Sequence, residues 1–264
     1  MTARLAVYGG GKMGQALVSG LIAAGWATPA ELAVVEPVEH RRKELEQHHP
    51  GLATAADVAP AEGAVVAVKP NDVEAACRAI GSAGAGRVLS IAAGVPLARL
   101  EGWLPEGLPV VRAMPNTPAL VGAGAAAIAP GEAAGEDDLA WAEGILGAVG
   151  VVQRVGEPLL DAVTGLSGSG PAYVFLLAEA LVDAGVLAGL TRPVSEALVV
   201  QTLLGSARLL AETGQSAEAL RAAVTSPGGT TAAGLRVLEE RGLRSALIEA
   251  VMAATERSRQ LGQA

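Results

Sequence analysis

The chain has 264 residues, 51% of them hydrophobic but only 2% aromatic, and 34 glycines, so its core must be filled by Ala, Val, Leu and Ile. That length encloses one large core or two modest ones and excludes a disulfide-stapled mini-protein; the single cysteine, Cys77, has no partner for an internal disulfide. A formal net charge of −8 excludes general nucleic-acid binding, because little basic charge is present to displace counterions from phosphates.

In chain order, residues 5–8, 32–35, 64–68, 88–91 and 109–112 are predicted strands, each short, apolar and bounded by turn residues. Residues 12–24, 38–48, 71–80 and 97–104 lie between or after them and carry helical spacing. This is the βαβ pattern of a doubly wound, mostly parallel sheet buried on both faces. Strands at 125–129 and 151–155 flank a further helix near 137–146. From residue 157 the strand signals stop, and helices are expected at 172–187, 195–213, 217–224, 231–241 and 244–261. The fold class is therefore α/β: a Rossmann-type sheet over residues 1–156, then an all-helical unit over 157–264.

The 172–187 helix places Glu179 and Asp183 on one narrow polar stripe and is apolar elsewhere. A helix apolar almost all round is buried, and two such helices carry more apolar surface than one small bundle covers. A subunit interface is expected, with an internal helix of a compact bundle as the alternative. The apolar run at 5–8 breaks at three glycines, which leaves no signal-peptide core, and no later segment has about 18 uninterrupted apolar residues. The expectation is a cytoplasmic protein without a membrane partner. The three histidines (His40, His48 and His49) share one stretch with no second group of ligands, so no metal site is expected.

Gly9-Gly10-Gly11-Lys12-Met13-Gly14 satisfies G-x-G-x-x-G after a predicted strand and at the start of a predicted helix. The chemistry needs a tight turn at Gly9, close backbone approach at Gly11 and close helix–strand packing at Gly14, with N–H groups at the helix start facing a pyrophosphate. Glu36 closes the second strand 22 residues after Gly14, near the spacing of a ribose-binding carboxylate. A carboxylate there accepts from a ribose 2′-OH and repels a 2′-phosphate, which favours NAD(H) over NADP(H). Arg41 and Arg42 have two readings, a solvated helix face or a pair that swings toward a phosphate. Lys12 either neutralises the pyrophosphate or points into water. Thr225, Ser226, Pro227, Gly228, Gly229, Thr230 and Thr231 form a second glycine-built helix entry, an anion site suited to a substrate carboxylate or an ordinary capped helix. Residues 167–173, with Pro171 near the first helical turn, are expected to make a third. A serine hydrolase is disfavoured, because every histidine lies in the predicted nucleotide domain and no strand leads into this segment.

Five blocks occur together and in order: VKP at 68–70, SIAAGV at 90–95, RAMPNTPAL at 112–120, TGLSGSGPAY at 164–173 and SPGGTT at 226–231. On these blocks the whole chain closely resembles the pyrroline-5-carboxylate reductases, the last enzymes of proline biosynthesis. The resemblance implies NAD(P)H-dependent reduction of 1-pyrroline-5-carboxylate to L-proline. It also implies a helical domain that binds substrate and dimerises, with five dimers gathering into a decamer. The nucleotide site would then map onto Gly9 to Gly14, Glu36, Val68, Lys69, Ala92 and Ala93. The substrate site would map onto Glu157, Thr164, Ser226 and Gly228 to Thr231, the last loop supplied by the partner subunit. On this reading Gly228, Gly229 and Thr230 bind the carboxylate, Thr231 bonds near the ring nitrogen, and Glu157 either stabilises the iminium or simply sits near a helix start. Three departures stand out: Glu36 replaces the small hydroxylic residue of many NADPH users, Lys12 replaces Asn, and Ala223 replaces a polar residue. The resemblance and the local chemistry thus disagree on the nucleotide, and NADH-leaning or dual use is expected.

Arg112 either draws in an anionic substrate or pairs with a nearby carboxylate, and Met114 packs either on the nicotinamide or in the core. A β-hydroxyacid-type dehydrogenase shares the layout but needs a lysine on the helical domain, and all three lysines (12, 43 and 69) lie in the nucleotide domain. A nucleotide-sensing or pyridoxal-phosphate-binding regulator without turnover stays open on the fold alone, and the second glycine loop argues against it.

Overall fold

The computed structural model describes residues 2–263. The chain forms two compact units, Met1–Ser169 with Met252–Ala264, and Gly170–Val251.

The first unit is built on one eight-stranded sheet in the order β3-β2-β1-β4-β5-β6-β7-β8. The strands are β1 Ala3–Tyr8, β2 Leu32–Val35, β3 Ala53–Ala55, β4 Ala61–Val66, β5 Val88–Ser90, β6 Val110–Met114, β7 Gly124–Pro130 and β8 Gly150–Arg154. All neighbours are parallel except β6 and β7, which run antiparallel. Alternation along β1 explains why the strand reads as continuously apolar. Leu5 and Val7 join Leu17 and Leu21 of α1 (Lys12–Ala23) and Ile145 of α5 (Glu136–Gly147) on one face, with Leu45 of α2 (Glu39–His48) in the same layer. Ala6 and Tyr8 join Val73, Cys77 and Ile80 of α3 (Val73–Ala83) and Leu100 of α4 (Leu97–Trp103) on the other. Scarce aromatics are accommodated by small partners: a Cβ on Gly63 would lie 2.6 Å from Cζ2 of Trp141.

Three local expectations are corrected. β3 was not expected as a strand, because three small residues at a sheet edge carry no apolar run. β4 begins at Ala61 and ends at Val66, short of Val68, where the chain turns toward a 3-10 helix at Pro70–Asp72 that precedes α3. The Ser167–Gly170 segment does not make a third free helix entry: a 3-10 turn (Glu157–Leu159), α6 (Leu160–Val163) and a π-helical turn (Thr164–Gly168) lead into it, and Ser169 N–H donates to Thr164 O at 2.8 Å. Its N–H groups are thus engaged in helical bonds rather than left open.

By compactness the first unit runs to Ser169, with Leu160 buried among Ala127 and Ala129 of the sheet. The end of α11 (Leu243–Gln263) also belongs to this unit, tied by Ser258 Oγ donating to Asp161 Oδ1 at 2.7 Å.

The second unit holds α7 (Gly170–Leu187), α8 (Arg192–Glu212), α9 (Ala217–Ala223), α10 (Thr230–Glu240) and the first part of α11. α7 and α8 pack through Gly185, where a Cβ would lie 2.1 Å from Ser195 Oγ, and Ser195 Oγ donates to Val182 O at 2.8 Å. Val182 and Ser195 are the only buried residues of those two helices. Phe175 and Leu176 are 61% and 67% exposed, so α7 is not the internal helix of a compact bundle. By length and composition, the helical runs Glu157–Leu187 and Arg192–Glu212 are apolar enough to cross a membrane.

Candidate active site

The first glycine loop joins β1 to α1. Gly9 has φ +116, and a Cβ there would lie 2.6 Å from Ala67 O, while a Cβ on Gly14 would lie 2.0 Å from Gly9 O. Both positions therefore demand glycine. A Cβ on Gly11 would meet nothing within 4 Å, so the loop leaves open space over the start of α1. Gly11 is the N-cap; no side chain caps the helix and its first turn holds no acidic residue. The uncapped first-turn N–H groups and the positive end of the helix dipole fit an anion. Lys12 is exposed beside them, and Met13 packs its side chain on the core, leaving its backbone to the loop.

Glu36 is 4% exposed at the end of β2. Its Oε2 accepts from Gly10 N–H at 3.0 Å and its Oε1 from Val38 N–H at 3.0 Å, so the carboxylate also braces the glycine loop. Arg41 Nη1 lies 3.7 Å away. Arg42 Nη1 donates to Glu36 O at 2.7 Å and Pro37 O at 2.8 Å. A cavity of about 630 Å³ gathers Gly9, Gly11, Glu36, Arg41, Val68 and Lys69 on its wall. Asp57 and Val58 line it as well, and sequence reasoning missed them because they follow β3, the strand it did not find.

Ala92 and Ala93 lie on the loop after β5. Ala92 is buried, its N–H donating to Ser90 Oγ at 3.4 Å, and Ala93 is exposed. Glu157 reaches the far end of this loop: its Oε1 accepts from Leu97 N–H at 2.7 Å and from Arg112 Nη1 at 2.8 Å. Arg112 thus pairs with a carboxylate, and Met114 packs against Ala127, Ala129 and Leu160 in the core. Thr164 Oγ1 donates to Leu160 O at 2.8 Å in the π-helical segment. Asn116 ties that segment to the sheet, accepting from Ala125 N–H at 2.8 Å and donating to Ser167 O at 3.0 Å, a brace for which the sequence carries no spacing signal.

The second glycine loop stands in the helical unit. Gly228 has φ +71, and a Cβ on Gly229 would lie 2.4 Å from Ser226 Oγ. Gly229 is the N-cap of α10, which has neither a side-chain cap nor an acidic residue in its first turn. Thr230 is exposed there and Thr231 half-buried. Burial raises the Cys77 thiol to about 11, so it supplies no nucleophile.

The strand order 3-2-1-4-5-6, the glycine turn and the acidic end of β2 define a dinucleotide-binding protein of the Rossmann class. Residues 4–94 match the family model described as NADP oxidoreductase, coenzyme F420-dependent, and residues 157–261 match that for pyrroline-5-carboxylate reductase dimerisation. The chain is 47% identical to a pyrroline-5-carboxylate reductase of Synechocystis over the full length of both. The structure of the Coxiella burnetii reductase matches with TM-score 0.92 and 39% identity, covering 99% of each chain. The Plasmodium falciparum pyrroline carboxylate reductase, solved with NADP bound, matches with TM-score 0.85 and 31% identity over 98% of each chain. The protein belongs to the pyrroline-5-carboxylate reductase family.

Proposed function

We propose that the protein reduces 1-pyrroline-5-carboxylate to L-proline in the cytoplasm, with NADH or NADPH as the electron donor and a homodimer as its smallest working unit. The observation that carries this reading is the pair of glycine-built helix entries at α1 and α10, neither with a side-chain cap or an acidic residue in its first turn. One anion site suits a pyrophosphate and the other a small carboxylate.

The bound nucleotide would supply a hydride to the ring carbon of the C=N bond. Gly9 to Gly14 would hold its pyrophosphate, Glu36 its adenosine ribose, and Val68, Lys69, Ala92 and Ala93 would line the path toward its nicotinamide. Ser226, Gly228, Gly229 and Thr230 would fix the substrate carboxylate. Thr231 would donate near the ring nitrogen, and Thr164 would border the ring. A protonated imine is already electrophilic, so orientation serves it better than a strong acid, and orientation supplies several kcal/mol of such barriers. This fits a second loop without a histidine.

Glu36 supports NADH-leaning or dual use. A 2′-phosphate placed in its cavity would meet a buried carboxylate, with Arg41 3.7 Å from that carboxylate as a partial offset. The names of the first family model and of the Plasmodium structure point instead to NADP. The exposed apolar faces of α7 and α8 are read as covered by a second copy rather than by lipid, in keeping with the dimerisation model over the same residues. Five such dimers forming a decamer is the larger assembly proposed. Absorbance at 340 nm with pyrroline-5-carboxylate and each nucleotide in turn tests the reading. Oxidation with proline as product is expected, and no oxidation of either nucleotide would overturn it.

A further inference from the structure

The loop at residues 91–96 is held at both ends and along its flank. At its start, Ala92 is buried and bonded to Ser90. At its end, Leu97 N–H donates to Glu157 Oε1, which also takes Arg112 Nη1. In the middle, Gly94 turns at φ +73 against the end of α11: a Cβ on Gly94 would lie 3.6 Å from Leu261 Cβ, and one on Gly262 would lie 3.8 Å from Gly94 O. α11 is fastened in turn by Ser258 to Asp161, one helical turn beyond Glu157. Arg112 is 11% exposed at its side chain and Glu157 31%. Loss of Glu157 would take this partner from the largely buried Arg112 guanidinium.

We infer that Arg112 and Glu157 form a positioning pair that shapes the 91–96 loop to receive the nicotinamide half of the nucleotide. On this inference Glu157 acts through Leu97, its Oε1 being shared between Leu97 N–H and Arg112 Nη1. The inference rests on the proposed reading of that loop as the nicotinamide side. It assigns Glu157 a role distinct from that of Glu36, which braces the glycine loop on the adenosine side.

Calorimetric titration with NADH and with ADP-ribose, which lacks the nicotinamide, separates this role from general damage. Glu157→Ala should weaken NADH by about tenfold while leaving ADP-ribose within about twofold of the wild type. Arg112→Ala should do the same, and the double variant should be no worse than Glu157→Ala alone, as for residues that act as one unit. Glu157→Gln keeps an acceptor for Leu97 N–H and should recover most of both NADH affinity and kcat, and it serves as the folded comparison should the alanine variant misfold. Equal weakening of NADH and ADP-ribose, or NADH binding unchanged in Glu157→Ala, would overturn the inference. So would a Glu157→Gln protein that binds NADH normally but has lost its kcat, because the charge would then act on the substrate. Binding is read without turnover, so a wild type that binds NADH but leaves pyrroline-5-carboxylate untouched would sink the proposed function and not this one.

Discussion

The two units of the chain solve burial in opposite ways. In the sheet unit both faces of β1 are covered by helices, and a glycine loop is forced into shape by its own neighbours. In the helical unit α7 and α8 bury one residue each and leave Phe175, Leu176, Leu198 and Val200 more than half exposed. The first unit is complete in one chain; the second has the surface of an element that needs a partner.

The sharpest way to break this contrast is a charge on the exposed face. Leu176→Glu should weaken self-association by at least about 100-fold, since an unpaired charge buried at an interface costs about 3–5 kcal/mol. Activity should fall with it, as read by light scattering and turnover at one concentration. In the sheet unit the corresponding lesion is Gly14→Ala. Its methyl would lie 2.0 Å from Gly9 O, and the resulting overpacking, about 1–3 kcal/mol, should raise the Kd for either nucleotide about tenfold or more without changing the assembly.

Thr231→Ala should lower kcat about tenfold and raise KM for pyrroline-5-carboxylate less, as expected for a bond that strengthens in the transition state; an unchanged kcat removes its role. Glu36→Ser should shift the NADPH-to-NADH ratio of kcat/KM upward by about tenfold, roughly the effect of one lost charge repulsion. It should also loosen the glycine loop, because the bonds to Gly10 and Val38 go with the carboxylate.

The smallest effect concerns His49, whose Nε2 lies 3.0 Å from Ser19 Oγ between α1 and the end of α2. Burial first, and the His48 charge second, lower its pKa below 6.5. The unfolded chain therefore takes up the proton more readily. The stability tied to neutral His49 is complete above the unfolded value and is lost as pH falls below it. His49→Gln should flatten the decline of Tm between about pH 7.5 and about pH 5.5, and an unaltered slope would mean that other groups carry it.

Much of the sheet was legible because its strands are short apolar runs separated by helical spacing, and both glycine loops announced themselves by composition and by their place before a helix. β3 was not legible, since three small residues at an edge look like any loop. The serine-glycine segment misled for a physical reason: Gly168 and Gly170 resemble a helix entry in sequence, yet the chain already has helical geometry there through the π turn. The partner of Arg112 could not be chosen, because Glu157 is 45 residues away and only the packing of Leu160 beneath the sheet brings it near. The 172–187 helix was legible as apolar almost all round, and what it meets is a question of assembly that one chain does not contain.

Active-enzyme sedimentation answers that question and the functional one together, by following nucleotide oxidation with pyrroline-5-carboxylate as the protein moves through the cell. A single chain weighs 26.3 kDa. The zone that consumes NADH should travel with the mass of two chains or a multiple of two, and consumption travelling with the mass of one chain would contradict the half-built helical unit.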